Sequence, residues 1–271
     1  MAKTIAVVNQ KGGVSKSTVC MNLGIGLVRE GHKVLVVDFD PQGSLTESLG
    51  YQNPDEMEVT VATLMHCAMN GIAFPEGYGI VHHEEGVDLL PANIDLSGIE
   101  LELVSQLSRE YVLKNVLAEI GECYGYILID NMPSLGMLTI NALAAADSVI
   151  IPTQAHFLSV MGLDQLLQTI GKIRKQINVK LQIDGILMTM VDNRTNFSRE
   201  IIELLQETYG SVLNIYDTRI PFSIRAAEAS AEGSSIYVHD PKGKVACAYE
   251  ELTEEVLRSG SKKEQCIKDK A

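Results

Sequence analysis

Eight consecutive residues carry the strongest chemical signal in this chain: Lys11-Gly12-Gly13-Val14-Ser15-Lys16-Ser17-Thr18. They lie between a β-branched run, Thr4 to Asn9, and a helically spaced stretch from Ser17 to Glu30 that Gly31 ends. A loop turning from a buried strand into a helix N terminus aims several backbone N–H groups and the positive dipole end at one point, which suits a phosphate. In that setting Lys16 neutralises β- and γ-phosphates, Ser17 gives its hydroxyl to Mg²⁺, and Thr18 bonds the α-phosphate.

The elements needed to hold such a loop recur along the chain. Lys33 to Asp40 (KVLVVDFD) is apolar on both faces, as a strand covered on both sides would be. Tyr126 to Asp130, Ser148 to Pro152 and Ile183 to Met190 repeat the pattern, with helical stretches at Leu138 to Ala146 and Gly162 to Gln176. This alternation predicts an α/β fold, a mostly parallel twisted sheet with helices on both faces. Further expectations are a helix over Val61 to Met69, a strand at Val87 to Pro91, a helix from Arg199 to Tyr209, a strand at Val212 to Tyr216 and a last helix from Ala246 to Arg258. Residues 1–258 are expected as one domain and 259–271 as a polar, frayed tail.

Composition narrows the classes. The 271 residues are 46% apolar and 21% charged, enough to bury a sizeable core and too apolar for a disordered chain. No run approaches the roughly 20 apolar residues of a membrane span, and the N terminus lacks a cleavage site, so a cytoplasmic protein is expected. The five cysteines (Cys20, Cys67, Cys123, Cys247, Cys266) are odd in number and never spaced CxxC, which predicts neither a disulfide framework nor a zinc site. The net charge is −13, and it is uneven: residues 1–159 hold 7 basic and 19 acidic residues, residues 160–271 hold 15 and 16. A basic face must come from the second part.

The strict pattern G-x-x-x-x-G-K-[ST] fails at Gln10 and Ser15. The loop instead resembles the deviant Walker A form, KGGxGK[ST], of the ParA/MinD family of P-loop NTPases. Three stretches in order extend the likeness: Asp38-Phe39-Asp40-Pro41-Gln42-Gly43, Asp130 followed by Pro133-Ser134-Leu135-Gly136, and Pro152-Thr153-Gln154 with Gly162-Leu163. It continues through Asp192 and Arg194-Thr195 to Asp240-Pro241, and it is nearest to the short-form ParA partition ATPases.

The resemblance implies ATP and Mg²⁺ as cofactors. It implies slow, dimer-dependent hydrolysis, with Lys11 reaching the partner subunit's phosphates in a nucleotide-sandwiched homodimer. Asp38 would serve the Mg²⁺ shell, Asp40 would position the attacking water, and Asp130 would support the metal from behind. Carboxylates at i and i+2 on a strand share a face, so the first two can address one metal–water cluster. Asp192 and Pro221 would join Lys11 to Thr18 in nucleotide binding. The ATP dimer would bind DNA without sequence preference, placing it on the nucleoid, and a ParB-like centromere-binding partner would trigger hydrolysis to move a plasmid, chromosome or mobile element. DNA-facing candidates are Arg219, Arg225, Lys242 and Lys244, with Lys172, Arg174 and Lys175 in reserve. A solvated face is the competing reading of these cations.

Several positions depart from the family pattern. Ser15 replaces a glycine where φ can be positive, at a strain cost on the order of 1 kcal/mol. Asn131-Met132 stands for Thr-Pro, Phe222 for an arginine and His156 for a glutamate. With the charge of −13, Phe222 weighs against strong DNA binding and keeps open an alternative: a nucleotide-dependent regulatory or positioning module, hydrolysing weakly and acting on a protein. A third reading, phosphorylation or amidation of a small metabolite, lacks a recognisable acceptor pocket. His82-His83-Glu84-Glu85 has no HExxH spacing and reads as a solvated loop, Met65, Met69, Met188 and Met190 read as core filling, and Ser134 has no histidine partner for a nucleophile role. The tail has no basic amphipathic helix for membrane attachment.

Overall fold

The computed structural model describes the backbone of residues 2–192 and 194–268, and their side chains except at 157–161 and 260–268. In chain order the elements are β1 (Lys3–Val7), α1 (Lys16–Arg29), β2 (Val34–Phe39), α2 (Ser44–Ser48), α3 (Val61–Met69), β3 (Val81–His82), β4 (Asp88–Leu90), α4 (Asp95–Leu103), α5 (Val112–Ile120) and β5 (Tyr126–Asn131). There follow α6 (Met137–Ala145), β6 (Ser148–Gln154), α7 (Phe157–Gln176), β7 (Gln182–Val191), α8 (Asn196–Tyr209), β8 (Ile215–Pro221), α9 (Ile224–Ala231), α10 (Ile236–His239) and α11 (Lys244–Lys268).

Among the described residues the strands form one eight-stranded sheet in the order β3-β4-β2-β5-β1-β6-β7-β8. Every pairing is parallel except β3 with β4. The α/β expectation is therefore met. The period of two along each central strand sorts side chains into layers. Ile5 and Val7, Val34 and Val36, Leu128, Ile150 and Leu187 face one side, where α1 and α11 cover them. The alternate residues of β2 and β5 meet α3, α4 and α5, and those of β1, β6 and β7 meet α7 and α8. Because both faces are covered, the inner strands read as unbroken apolar runs.

The edge strand differs for the same reason. The strand expected at 212–216 lies instead at β8, with Tyr216, Thr218 and Ile220 buried and Asp217 and Arg219 exposed between them. The apolar pair Val212-Leu213 precedes it in a turn. Helices α7, α8 and α11 begin earlier than expected, and Thr195 caps α8 by accepting a hydrogen bond from the Ser198 N–H. The α11 backbone continues to Lys268, through most of the expected frayed tail: no proline stops it, and lysine, glutamate and glutamine sustain a helix. Residues 269–271 lie outside the described residues. Helices α2, α4, α5, α9 and α10 were not among the expectations.

Two loops meet backbone to backbone. A Cβ on Gly233 would stand 2.5 Å from Gly50 Cα, and both residues have positive φ, +72° and +90°. This contact joins the end of α2 to the end of α9. Gly233→Ala is expected to lower the free energy of unfolding by about 2 kcal/mol, from overpacking plus left-handed strain. Urea denaturation checks this, and an unchanged midpoint would contradict the contact.

Candidate phosphate and metal site

The chemistry-bearing residues gather at the C-terminal ends of the parallel strands, where open α/β sheets bind ligands. Registration fixes this. Asp38 of β2 lies opposite Asp130 of β5, and Asp130 lies opposite Val7 of β1. The loop leaving β1 therefore rises beside both carboxylates.

Ser15 adopts φ 67°, ψ 33°, the left-handed conformation anticipated from its place in the motif, and so does Gly13 at φ 71°. Ser15 makes no side-chain cap, so its side chain leaves the leading N–H groups of α1 to another acceptor. A Cβ on Gly12 or Gly13 would touch nothing within 4 Å, so the space over the loop is open. The loop itself is tied down from below. Asn9 accepts from the Lys11 N–H (2.9 Å) and donates to the Pro152 carbonyl (2.7 Å), Gln10 donates to the Gly162 carbonyl (2.7 Å), and Thr189 donates to the Val14 carbonyl (3.1 Å). Gln154 bridges the two glycine-loop ends: its amide donates to the Gly13 carbonyl (2.6 Å), and its oxygen accepts from Lys11 Nζ (3.3 Å).

Lys16 is only 8% exposed, and its Nζ points back to the Lys11 carbonyl at 3.5 Å. Burial lowers its pKa, opposed by the charges of Asp130 and Asp40. Asp38 is fully buried: one oxygen accepts from the Thr46 N–H and hydroxyl, each at 2.8 Å, and the other from the Asp40 N–H at 3.2 Å. Desolvation still raises its pKa to about 6. Asp130 is more extreme. Neither of its oxygens has a close hydrogen-bond partner, and burial together with Asp38 pushes its pKa well above the carboxylate range against the pull of the Ser17 hydroxyl and the Lys16 charge. A buried carboxylate without donors is costly unless a cation completes it. Open space over the loop, the Ser17 hydroxyl and this orphaned carboxylate together fit a nucleotide phosphate with its Mg²⁺. Asp40 lies higher, half-buried, accepting from the Gln42 N–H at 3.0 Å.

The other expected residues divide. Asp192 and Pro221 close neighbouring strand ends, since Val191 pairs with Pro221. Arg194 chelates the Asp192 carboxylate through two bonds of 2.9 Å, and these bonds and the Arg194 N–H lower its pKa to about 2. Arg219, Pro221, Lys242 and Lys244 line one shallow cavity of about 330 Å³, and Arg225 pairs with Asp240 at 3.5 Å nearby. Lys172, Arg174 and Lys175 lie on α7, on the opposite side of the sheet from α11.

Two sequence readings need correction. Met65 and Met188 are buried, but Met190, next to the last residue of β7, is 37% exposed with φ 52° and takes the Gln154 amide against its sulfur. The His82–Glu85 stretch is a solvated turn at His82 and Glu84 only. His83 is buried, His82 Nδ1 meets Asp88 at 2.5 Å, and Glu85 accepts at 2.8 Å from the N–H of Ser235, the residue whose hydroxyl caps α10. Among the described cysteines, Cys20 is buried and Cys123 and Cys247 are exposed; the Cys266 side chain lies outside the described residues.

Left-handed Ser15 carries strain that glycine would not. Ser15→Gly is expected to raise the unfolding free energy of the nucleotide-free protein by about 0.5–1 kcal/mol, read by thermal or urea denaturation. A loss of stability would contradict the strained geometry.

The whole chain is similar to several known proteins. A family model described as an AAA domain matches residues 2–183. The sporulation initiation inhibitor protein Soj of Bacillus subtilis is 42% identical over 260 residues, covering 96% of this chain and 100% of that protein. The chromosome-partitioning ATPase Soj of Treponema pallidum is 39% identical over 257 residues, covering 95% and 98%. A crystal structure of cobyrinic acid a,c-diamide synthase from Mycobacterium smegmatis, with bound ADP and magnesium, superposes with a TM-score of 0.83 at 38% identity over 96% of each chain. This chain belongs to the ParA/Soj/MinD family of deviant Walker A ATPases.

Proposed function

We propose that the chain is an ATP-driven partition switch: it binds ATP with Mg²⁺, closes into a sandwich dimer, holds DNA nonspecifically, and releases both when a ParB-like partner promotes hydrolysis. The observation that carries this reading is the orphaned Asp130 carboxylate, set beside Asp38 and Lys16 under an open, glycine-lined helix N terminus. Relatives named Soj, one a chromosome-partitioning ATPase, support the cargo. Residues 1–258 act as the ATPase unit, and 259–268 extend its last helix.

Phosphoryl transfer asks the protein mainly for positioning and for positive charge where the migrating group gains negative charge. The α1 N–H groups and Lys16 hold the triphosphate, and Ser17, Asp38 and Asp130 hold Mg²⁺, which supplies further charge neutralisation when bound. Asp40, half-exposed above the pair, orients the attacking water. Lys11 leaves Gln154 to reach the partner subunit's phosphates, so hydrolysis depends on dimerisation and runs slowly. Asp192 and Pro221 flank the base. Arg219, Lys242 and Lys244 share a concave surface that takes DNA phosphates, with Arg225 beside them. The switch works in the cytoplasm, on the nucleoid; no helix among the described residues is long and apolar enough to cross a membrane.

Exposed Phe222 and the Arg225–Asp240 pair favour the second reading, a module that acts on a protein rather than on DNA. The name of the Mycobacterium smegmatis relative favours a third, amidation of a metabolite. Cosedimentation with DNA separates them. With ATP at low salt the chain is expected to bind any duplex, and Lys242→Ala/Lys244→Ala to lessen the slope of log affinity against log salt by about 2. DNA ignored by the ATP form would exclude the first reading, and turnover indifferent to metabolites would exclude the third. Asp40→Ala is expected to hold the ATP dimer intact for hours by gel filtration, and rapid hydrolysis by that variant would remove Asp40 from the mechanism.

A further inference from the structure

A cavity of about 820 Å³ opens at the end of the sheet opposite the phosphate site. Three of the strands locate it. Lys33 immediately precedes β2, Asp88 begins β4, and Tyr124 lies just before β5, whereas Asp38 and Asp130 stand at the far ends of β2 and β5. Lys33 is separated from Asp38 by roughly 17 Å of extended strand. The volume is that of sites that enclose small molecules.

The lining is part apolar and part acidic. Phe74 and Ile80, from the segment after α3, and Ile120 of α5 supply the apolar part. Glu76, Glu119 and Glu122 are exposed beside them, and among the described residues no ion pair or hydrogen bond engages these three carboxylates. A fourth carboxylate, Asp88, is buried and orders its neighbours: one oxygen takes His82 Nδ1 at 2.5 Å, and the other accepts from the Tyr124 hydroxyl at 2.7 Å. Helix α5 ends here at Gly121 with no basic residue in its last turn. Glu119 and Glu122 therefore stand at the negative end of its dipole, an unfavourable arrangement that a cation relieves.

Lys33 shows which kind of cation the lining accepts. Instead of pairing with a glutamate, its Nζ lies 5.1 Å from the centroid of the Tyr124 ring. Burial and the bond to Asp88 raise the Tyr124 pKa, so the ring stays neutral while its hydroxyl donates to a carboxylate. An alkylammonium is thus already seated on this lining. A metal ion suits it less: among the described residues no three His, Cys, Asp or Glu side chains converge to hold one, and an ion would leave Phe74, Ile80 and Ile120 without an apolar partner. We infer that the cavity binds a linear aliphatic polyamine, with its ammonium groups at the glutamates and its methylene chain along the apolar residues. This site is separate from the nucleotide site and does not depend on the partition reading.

The test is titration calorimetry of spermidine into the full chain, free of nucleotide and Mg²⁺, at about 0.15 M salt. One molecule per chain is expected to bind and to slow amide hydrogen exchange at residues 74–82 and 118–124. Ethylamine, which has one ammonium and a short chain, and Mg²⁺, which has charge without methylenes, should each bind at least tenfold more weakly. Glu119→Gln/Glu122→Gln should weaken spermidine binding tenfold or more. So should Ala118→Trp, which adds bulk to the cavity from an exposed helical position without changing charge. Glu203→Gln/Glu207→Gln on α8, which packs on the other half of the sheet, removes the same charge and should leave affinity within about twofold. Affinity indifferent to either cavity variant, an equal loss with the α8 variant, Mg²⁺ or ethylamine binding as tightly as spermidine, protection elsewhere, or no binding up to about 5 mM would overturn the inference.

Discussion

A buried carboxylate answered only by the Ser17 hydroxyl and the Lys16 charge is the constraint around which this molecule is arranged. Asp130 stands opposite Asp38 at the end of two adjacent strands, and burial raises the pKa of both. Ionising them without a counter-charge is unfavourable in so dry a place. The surroundings answer that requirement on one side only: Lys16 and Ser17 approach from α1, and the space above Gly12 and Gly13 is left open. An arrangement that is incomplete in charge, and open where the helix dipole points, is preorganised for a divalent cation and an anion together.

From this site two rigid connections lead to the basic surface. Thr46, bonded to Asp38, lies in α2, whose end meets α9 through the Gly50–Gly233 contact. The buried Asn22 of α1 donates to the Thr18 carbonyl and accepts from the Ile236 N–H, so the phosphate helix is fastened to α10. The turn after α10 carries Asp240, the partner of Arg225, and leads to Lys242 and Lys244. Packed elements of this kind move as units, which gives the state of the phosphate site a physical route to the surface proposed for DNA.

The candidate phosphate site was legible because its loop is one contiguous stretch and its strands are buried on both faces: Lys11 to Thr18 reads from local pattern, and Asp38 and Asp130 from the family likeness of the segments that carry them. Helix α5 carried a signal as well, since Val112, Leu113, Val116, Leu117 and Ile120 recur at helical spacing, but the irregular sequence before it masked it. The loop's supports were harder to see. Asn9, Gln10, Gln154 and Thr189 act through bonds spanning 141 to 175 residues, which no local window contains. The gathering of Arg219, Lys242 and Lys244 into one cavity, and the burial of His83, likewise depend on tertiary contacts.

Titration calorimetry of ATP into the full chain, in Mg²⁺ and again in EDTA, tests the central claim most directly. The account predicts one site per chain that binds ATP with Mg²⁺ at least tenfold more tightly than without it, and that Lys16→Ala abolishes. Binding of equal strength in EDTA, or no binding at all, would contradict the assignment of the Asp38–Asp130 pair and the α1 N terminus to a metal–triphosphate site.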